Sequence, residues 1–140
     1  MSVAQRDMIS RAQGYASATS WMLMVDTTNC YVGIFTGGRG HWSQWGYWLC
    51  SVGALSSPTP RGEYTVQAKG YSFGHGYTCY YYTQFWGDYL FHTIKYNQGT
   101  FVVQDGRLGM HISEGCVRLP LEQAKWIYDN IPTGTKVVIY

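Results

Sequence analysis

The sequence predicts a mainly β fold with one packed α-helix near the C-terminus, and three observations lead there. Most apolar segments are short, of strand length, and rich in aromatic and β-branched residues. Glycine and proline, 17 and 4 of the 140 residues, separate those segments with turn signals. Only Leu121, Ala124, Ile127, Tyr128 and Ile131 set apolar side chains along a helical stripe of any length.

Residues 1–18, with Met8, Ile9 and Ala12 at helical spacing, read as a short N-terminal helix or linker; the domain proper runs over 19–140. Trp21–Asp26 is a dense apolar run that ends in Asp-Thr-Thr-Asn, a turn signal, and Cys30–Thr36 follows as a second strand. The pair predicts a hairpin buried at least in part on both faces. After the break at Gly37-Gly38-Arg39-Gly40, a stretch holding Trp42, Trp45, Tyr47 and Trp48 leads into Leu49–Val52. Ser56–Gly62 is a rigid turn in which Pro58 and Pro60 fix two φ angles and Gly62 permits the return. Glu63–Lys69 alternates as one strand, with Tyr64, Val66 and Ala68 on one face.

Ten aromatics fall among the twenty-one residues from Tyr71 to Phe91. Strand propensity accounts for most of them, and a sugar-stacking platform is the other reading. Tyr89–Tyr96 reads as a strand with Leu90, His92, Ile94 and Tyr96 on one face, and 97–109 as loop around Phe101-Val102-Val103. Pro120 stands at a first helical position, and Glu122 suits the positive start of the helix. Pro132-Thr133-Gly134 closes that helix, and Thr135–Tyr140 is a terminal strand.

The length is that of one domain, able to bury roughly two-thirds of its unfolded surface. Charged residues make up 13% and the net charge is +2, with the ten Lys and Arg scattered, so nothing favours nucleic acid as a partner. Cys30, Cys50, Cys79 and Cys116 lie 20, 29 and 37 residues apart and form no zinc or Cys-x-x-Cys redox motif. With one of them a nucleophile, at most one disulfide can form. No metal or other cofactor is expected. No apolar run approaches a membrane span and the N-terminus has no basic-then-apolar signal. Work outside the membrane would require a leader, and any membrane attachment an anchor, in an N-terminal segment missing from this chain.

Candidate chemistry concentrates in Arg107–Leu119, which holds His111, Ser113, Glu114, Gly115, Cys116 and Arg118. A thiol of pKa about 8.5 is only a few per cent thiolate at neutral pH, so Cys116 either has a base or is a small buried side chain. Gly115 permits a turn closed to other residues and leaves room for a substrate carbonyl, with the N–H groups of Gly115 and Cys116 facing an oxyanion. His41 and His75, in glycine-rich stretches, read as surface residues. His92 on its apolar strand face reads either as a core residue or as a base kept neutral by desolvation. His111, five residues before Cys116, is a second candidate base or a side chain lining the entrance. Ser113 suits bracing of the turn, and Arg118 suits either a substrate carboxylate or Glu114.

Ser113-Glu114-Gly115-Cys116-Val117-Arg118 resembles the Ser/Thr-His-Gly-Cys-Ile/Val-Arg/Asn signature of the L,D-transpeptidase (YkuD-type) catalytic domain. Upstream, Cys50–Gly53 and Pro58–Tyr64 look like the family's Thr-Pro-x-Gly hairpin, and Phe91-His92-Thr93 sits where the family keeps its catalytic histidine. Downstream, Glu122–Asn130 and Gly134–Ile139 are similar to its closing helix and last strand, so the likeness runs from about Trp21 to Tyr140. The resemblance implies a curved β-sandwich of mixed sheets. It implies Cys116, His92, Ser113 and Gly115 as catalytic residues, with Arg118, Glu114, His111 and Thr93 toward the substrate. A backbone carbonyl near Thr93 or Ser113 would orient the imidazole.

The implied activity is formation of 3→3 peptidoglycan cross-links in the bacterial cell wall, outside the cell, through a cysteine thioester and release of D-Ala. Its partners would be two stem peptides, one the acyl donor and one the amine acceptor. Roles in wall biosynthesis and cell shape, and acylation by carbapenems, go with it. Two features depart from the pattern: Glu114 replaces the usual histidine, and the 24 positions from His92 to Cys116 are a wider gap than usual. Hydrolysis at the same site would make an L,D-carboxypeptidase. An NlpC-type peptidase, with its cysteine ahead of its histidine, has the reverse order. A non-catalytic wall-binding module would use the aromatics of 71–91 instead.

Overall fold

A computed structural model describes all of residues 1–140. The chain runs α1 (Val3–Ala12), β1 (Trp21–Asp26), β2 (Tyr31–Thr36), β3 (Ser43–Leu49), β4 (Val52–Gly53), β5 (Gly62–Thr65), β6 (Lys69–Phe73) and β7 (Cys79–Trp86). It continues through β8 (Tyr89–Thr93), β9 (Lys95–Tyr96), β10 (Val103–Asp105), β11 (His111–Ser113), β12 (Val117–Leu119), α2 (Leu121–Asn130) and β13 (Lys136–Ile139).

Two sheets carry the fold. The first has the order β3-β2-β1-β13-β5, in which only β1 and β13 pair in parallel. The second has the order β12-β8-β7-β6, with β12 parallel to β8. Leu23 and Val25 of β1, Val32 and Ile34 of β2, and Val137 and Ile139 of β13 meet Phe85, Phe91, Val117 and Leu119 of the second sheet in one core. Ala124 and Ile127 of α2 join that core.

The other face of the first sheet is also covered. Met8 and Ala12 of α1 pack there on Met22, Met24, Phe35 and Val138. This explains why β1 and β2 read as unbroken apolar runs rather than alternating ones. Met8 lies close against Gly33, since a Cβ there would stand 2.2 Å from Met8 Sδ. The N-terminal segment is therefore a second packed helix. Its first turn is capped by Ser2 Oγ, which accepts from Gln5 N–H at 3.1 Å.

Three expected elements differ in detail. Glu63–Lys69 is not one strand: β5 pairs with β13, the chain leaves that sheet at Val66–Ala68, and β6 begins the other sheet at Lys69. Backbone bonds from Val66 to Thr135 O and from Gln67 to Gln84 O, one toward each sheet, mark the crossing. Tyr89–Tyr96 breaks at Ile94, whose N–H bonds Leu119 O. Pro120 is the residue before the first turn of α2 rather than within it.

Candidate active site

Register on the second sheet sets the site. The β12–β8 pairing puts Val117 beside Phe91, Arg118 beside His92 and Leu119 beside Thr93. Because side chains alternate, Phe91, Val117 and Leu119 fill the core while His92 and Arg118 turn to the opposite face. There they line a cavity of about 540 Å³ together with Cys116, Ser113 and Glu114. Two residues 24 positions apart in sequence, a thiol and an imidazole, thus share one open concavity.

The turn that presents Cys116 is built by its neighbours. Gly115 has φ +123°, a conformation that strains any other residue. A Cβ on it would lie 2.4 Å from the ring of Tyr89. The missing side chain of Gly115 thus makes room for that ring. Ser113 Oγ accepts from Gly115 N–H at 3.1 Å and donates to Cys116 O at 2.6 Å, so one hydroxyl closes the turn. This also corrects the oxyanion expectation: the Gly115 N–H is already used, which leaves that of Cys116.

Cys116 is partly exposed and donates its S–H to Asp88 O at 3.3 Å. Burial raises its pKa, the Leu90 backbone N–H opposes the rise, and the Asp88 and Glu114 charges add to it. His92 is buried, edge-on to Phe73 with ring centroids 5.1 Å apart. Its Nδ1 donates to Thr93 O at 2.6 Å, which fixes the tautomer and leaves Nε2 as a bare acceptor. Burial lowers its pKa to about 4; the Thr93 carbonyl opposes this, and Arg118 and Lys95 lower it further. At neutral pH the resting pair is therefore a thiol and an uncharged imidazole, not an ion pair. The sulfur is held by Asp88 and not by the ring.

The other expected residues fall into two groups. Arg118 lines the cavity although it is only 2% exposed; its Nη1 stands 3.3 Å from Asp105 Oδ2, while Nε and Nη1 make no hydrogen bond. Glu114 lies on the rim, exposed, and forms no ion pair with Arg118. Thr93 does not face the cavity: its hydroxyl is buried, accepting from Tyr80 N–H and donating to Ile94 O, and only its carbonyl serves the site.

His111 is not brought to the thiol either. β11 pairs with β4 rather than continuing toward β12, and His111 Nε2 donates to Thr27 O at 2.6 Å, in a separate cavity of about 290 Å³.

Sequence reasoning missed Asp88, Tyr89, Tyr77 and Lys95, all on the cavity wall. Gly87-Asp88 between two aromatic strands is a two-residue hairpin signal that could have found the first two. All four cysteines are free thiols; Cys79, on the same wall as Cys116, is pushed up to about 12 by burial.

Comparison with known proteins shows the family and the fold. The family profile described as the L,D-transpeptidase catalytic domain (YkuD) matches residues 20–139. YciB of Bacillus subtilis, provisionally named an L,D-transpeptidase, is 35% identical over 91 residues, which cover 58% of this chain and 46% of that protein. A fused Zn-dependent amidase/peptidase/peptidoglycan-binding domain protein of Clostridium acetobutylicum superposes with a TM-score of 0.81 at 36% identity. That superposition covers 96% of this chain and 59% of the other. L,D-transpeptidase 3 of Mycobacterium tuberculosis, solved with a faropenem-derived adduct, has the same fold, with a TM-score of 0.67 at 21% identity over 86% of this chain and 60% of its own. The chain thus spans about half the length of the curated relative and somewhat more of the solved ones.

Proposed function

The chain belongs to the L,D-transpeptidase (YkuD) catalytic-domain family, and on that footing we propose that it forms 3→3 peptidoglycan cross-links through a thioester on Cys116. The observation that carries this reading is the shared cavity of Cys116 and a neutral, tautomer-fixed His92.

Sγ leaves the Asp88 carbonyl, His92 Nε2 takes its proton, and the thiolate attacks the carbonyl of the third stem residue. The Cys116 N–H faces the oxyanion. Protonated His92 then gives its proton to the departing D-Ala amine, leaving a thioester. The amine of a second stem attacks that thioester, His92 accepts its proton, and the sulfur is released with a new amide in place. Since the buried imidazole resists charge, the proton stays on it only briefly, which favours its onward transfer.

Charge on the cavity wall suits the two substrates. Arg118 and Lys95 offer positive charge to carboxylates of the donor stem. Glu114 on the rim, where the family usually has histidine, suits the cationic amine of the acceptor before it loses its proton. The site works outside the cell, on the wall.

Muropeptide analysis by mass spectrometry tests the proposal. Purified sacculi treated with the wild type should gain 3→3 linked dimers, and Cys116→Ala should form none. Tripeptides without dimers would make the enzyme an L,D-carboxypeptidase, with water replacing the amine. Dimers formed by Cys116→Ala would overturn the reading. A carbapenem should add its mass to the wild type at Cys116 alone.

A further inference from the structure

A second cavity opens beside the first, and an aromatic ladder joins the two. Trp86 ends β7, and an irregularity between Gln84 and Trp86 turns Phe85 into the core while leaving Trp86 half exposed. The Trp86 ring stacks on Tyr89 with centroids 5.6 Å apart and planes 6° from parallel, and lies 5.6 Å from Tyr64 on another side. Tyr89 lines the catalytic cavity and covers Gly115. The second cavity, of about 430 Å³, sets Tyr64 and Trp86 among Glu63, Gln67 and Lys136. Glu63 and Lys136 pair at 2.8 Å on its wall.

A half-exposed indole and a phenol ring bordered by a carboxylate, an ammonium and an amide suit a ligand that is apolar on its faces and polar around its rim. A pyranose has that form: C–H groups above and below the ring, hydroxyl and acetamido groups at the edge. We propose that this cavity is a saccharide subsite that takes an N-acetylhexosamine of the glycan strand bearing the donor stem. The identity of the sugar rests on the peptidoglycan reading above.

Nearness to the catalytic cavity, one stacked pair of rings away, favours this occupant. Only two residues and a short ether link separate a wall sugar from the third stem residue, on the order of 10 Å when extended. A peptide whose third carbonyl reaches Cys116 must therefore carry its sugar close by. The Trp86–Tyr89 stack ends directly against the residue preceding the nucleophile. Binding energy gathered there, remote from the reacting bond, would hold the carbonyl in place for attack.

Two measurements test it. The first uses Cys116→Ala protein and an N-acetylglucosamine tetramer, followed by NMR of the six tryptophan indole N–H groups. The Trp86 signal, identified by its absence from a Trp86→Phe variant, should move and saturate. A stationary Trp86 signal, or movement confined to other indoles such as that of Trp45, overturns the proposal.

The second compares kcat/KM for a disaccharide-tetrapeptide donor with that for the free tetrapeptide. The wild type should favour the glycosylated donor by about tenfold or more, a difference of about 1.4 kcal/mol. Trp86→Ala should bring the ratio close to one, and Trp86→Tyr should keep most of it. A ratio unchanged in Trp86→Ala overturns the subsite. If the wild type turns over neither donor, the transpeptidase reading fails while the NMR titration still decides the sugar site.

Discussion

His92 and Thr93, adjacent in sequence, are joined by a 2.6 Å hydrogen bond from the imidazole Nδ1 to the carbonyl of Thr93. The carbonyl can only accept, so the ring proton is fixed on Nδ1 and the lone pair of Nε2 is free. His111 has the opposite arrangement, with its Nε2 proton given to Thr27 O in another cavity. His92→Ala should therefore lower kcat/KM by about 10² to 10⁴, the range of a general base. His111→Ala should cost about 1 kcal/mol of stability for its lost bond and leave turnover nearly intact. Steady-state kinetics of the two variants decide the matter; full activity in His92→Ala rejects the assignment.

The resting protonation state gives a second expectation. Burial raises the Cys116 thiol above its ordinary value and lowers His92 to about 4, so no thiolate–imidazolium pair exists at neutral pH. Alkylation of Cys116 by iodoacetamide should climb steadily from pH 6 past pH 9, because it follows the thiolate fraction. The rate is read by mass spectrometry of the Cys116 peptide, since the other three thiols are buried. A plateau across neutral pH would mean that an ion pair forms at rest.

Burial of His92 also couples folding to pH. Its unfolded pKa is 6.5 and its folded value about 4, so between them the unfolded chain binds a proton that the folded chain does not. The stabilisation is complete above pH 6.5 and is lost as pH falls toward 4. At 1.36 kcal/mol per unit, the loss is about 3 kcal/mol. Urea unfolding from pH 7.5 to 4 should show the wild type losing that much more stability than His92→Gln. Parallel losses in both proteins would contradict it.

How much of this was legible in the sequence depends on the scale of the interaction. Residues 113–118 carry the nucleophile, its turn glycine and the bracing serine within one local stretch, so the resemblance to a known signature could place them where spacing alone left Cys116 open. Strand composition likewise exposed β1, β2 and β8, and the helical apolar stripe from Leu121 to Ile131 exposed α2. What failed was long-range pairing. The alternation of Glu63–Lys69 cannot reveal that the chain changes sheets at Val66, because both halves remain extended. His111 looked close to Cys116 because the two are only five positions apart, but β11 pairs with β4 and its imidazole is drawn to Thr27. Thr93 stood next to the base, and strand alternation turned its side chain to the buried face. Asp105 in its predicted loop gave no sign that it would meet Arg118.

That meeting supports a last prediction. Arg118 is buried with two nitrogens lacking hydrogen bonds, and its ionic partner, Asp105, is also held by Arg107 at 2.8 Å. Removing one partner of a buried pair strands the other, at a usual cost of about 3–5 kcal/mol. Asp105 keeps some access to water, so Asp105→Ala should fall near the bottom of that range or just below it, about 2–3 kcal/mol. Arg118→Met, which leaves Asp105 paired with Arg107, should cost less, and the double variant should regain much of what Asp105→Ala lost, because no charge is then buried alone. Activity should not follow stability. If Arg118 receives a carboxylate of the donor stem, both proteins with methionine at 118 should show a raised KM for that donor however well they fold. Unfolding curves set beside donor titrations separate the two roles; recovery of both stability and KM in the double variant would make Arg118 a purely structural cation.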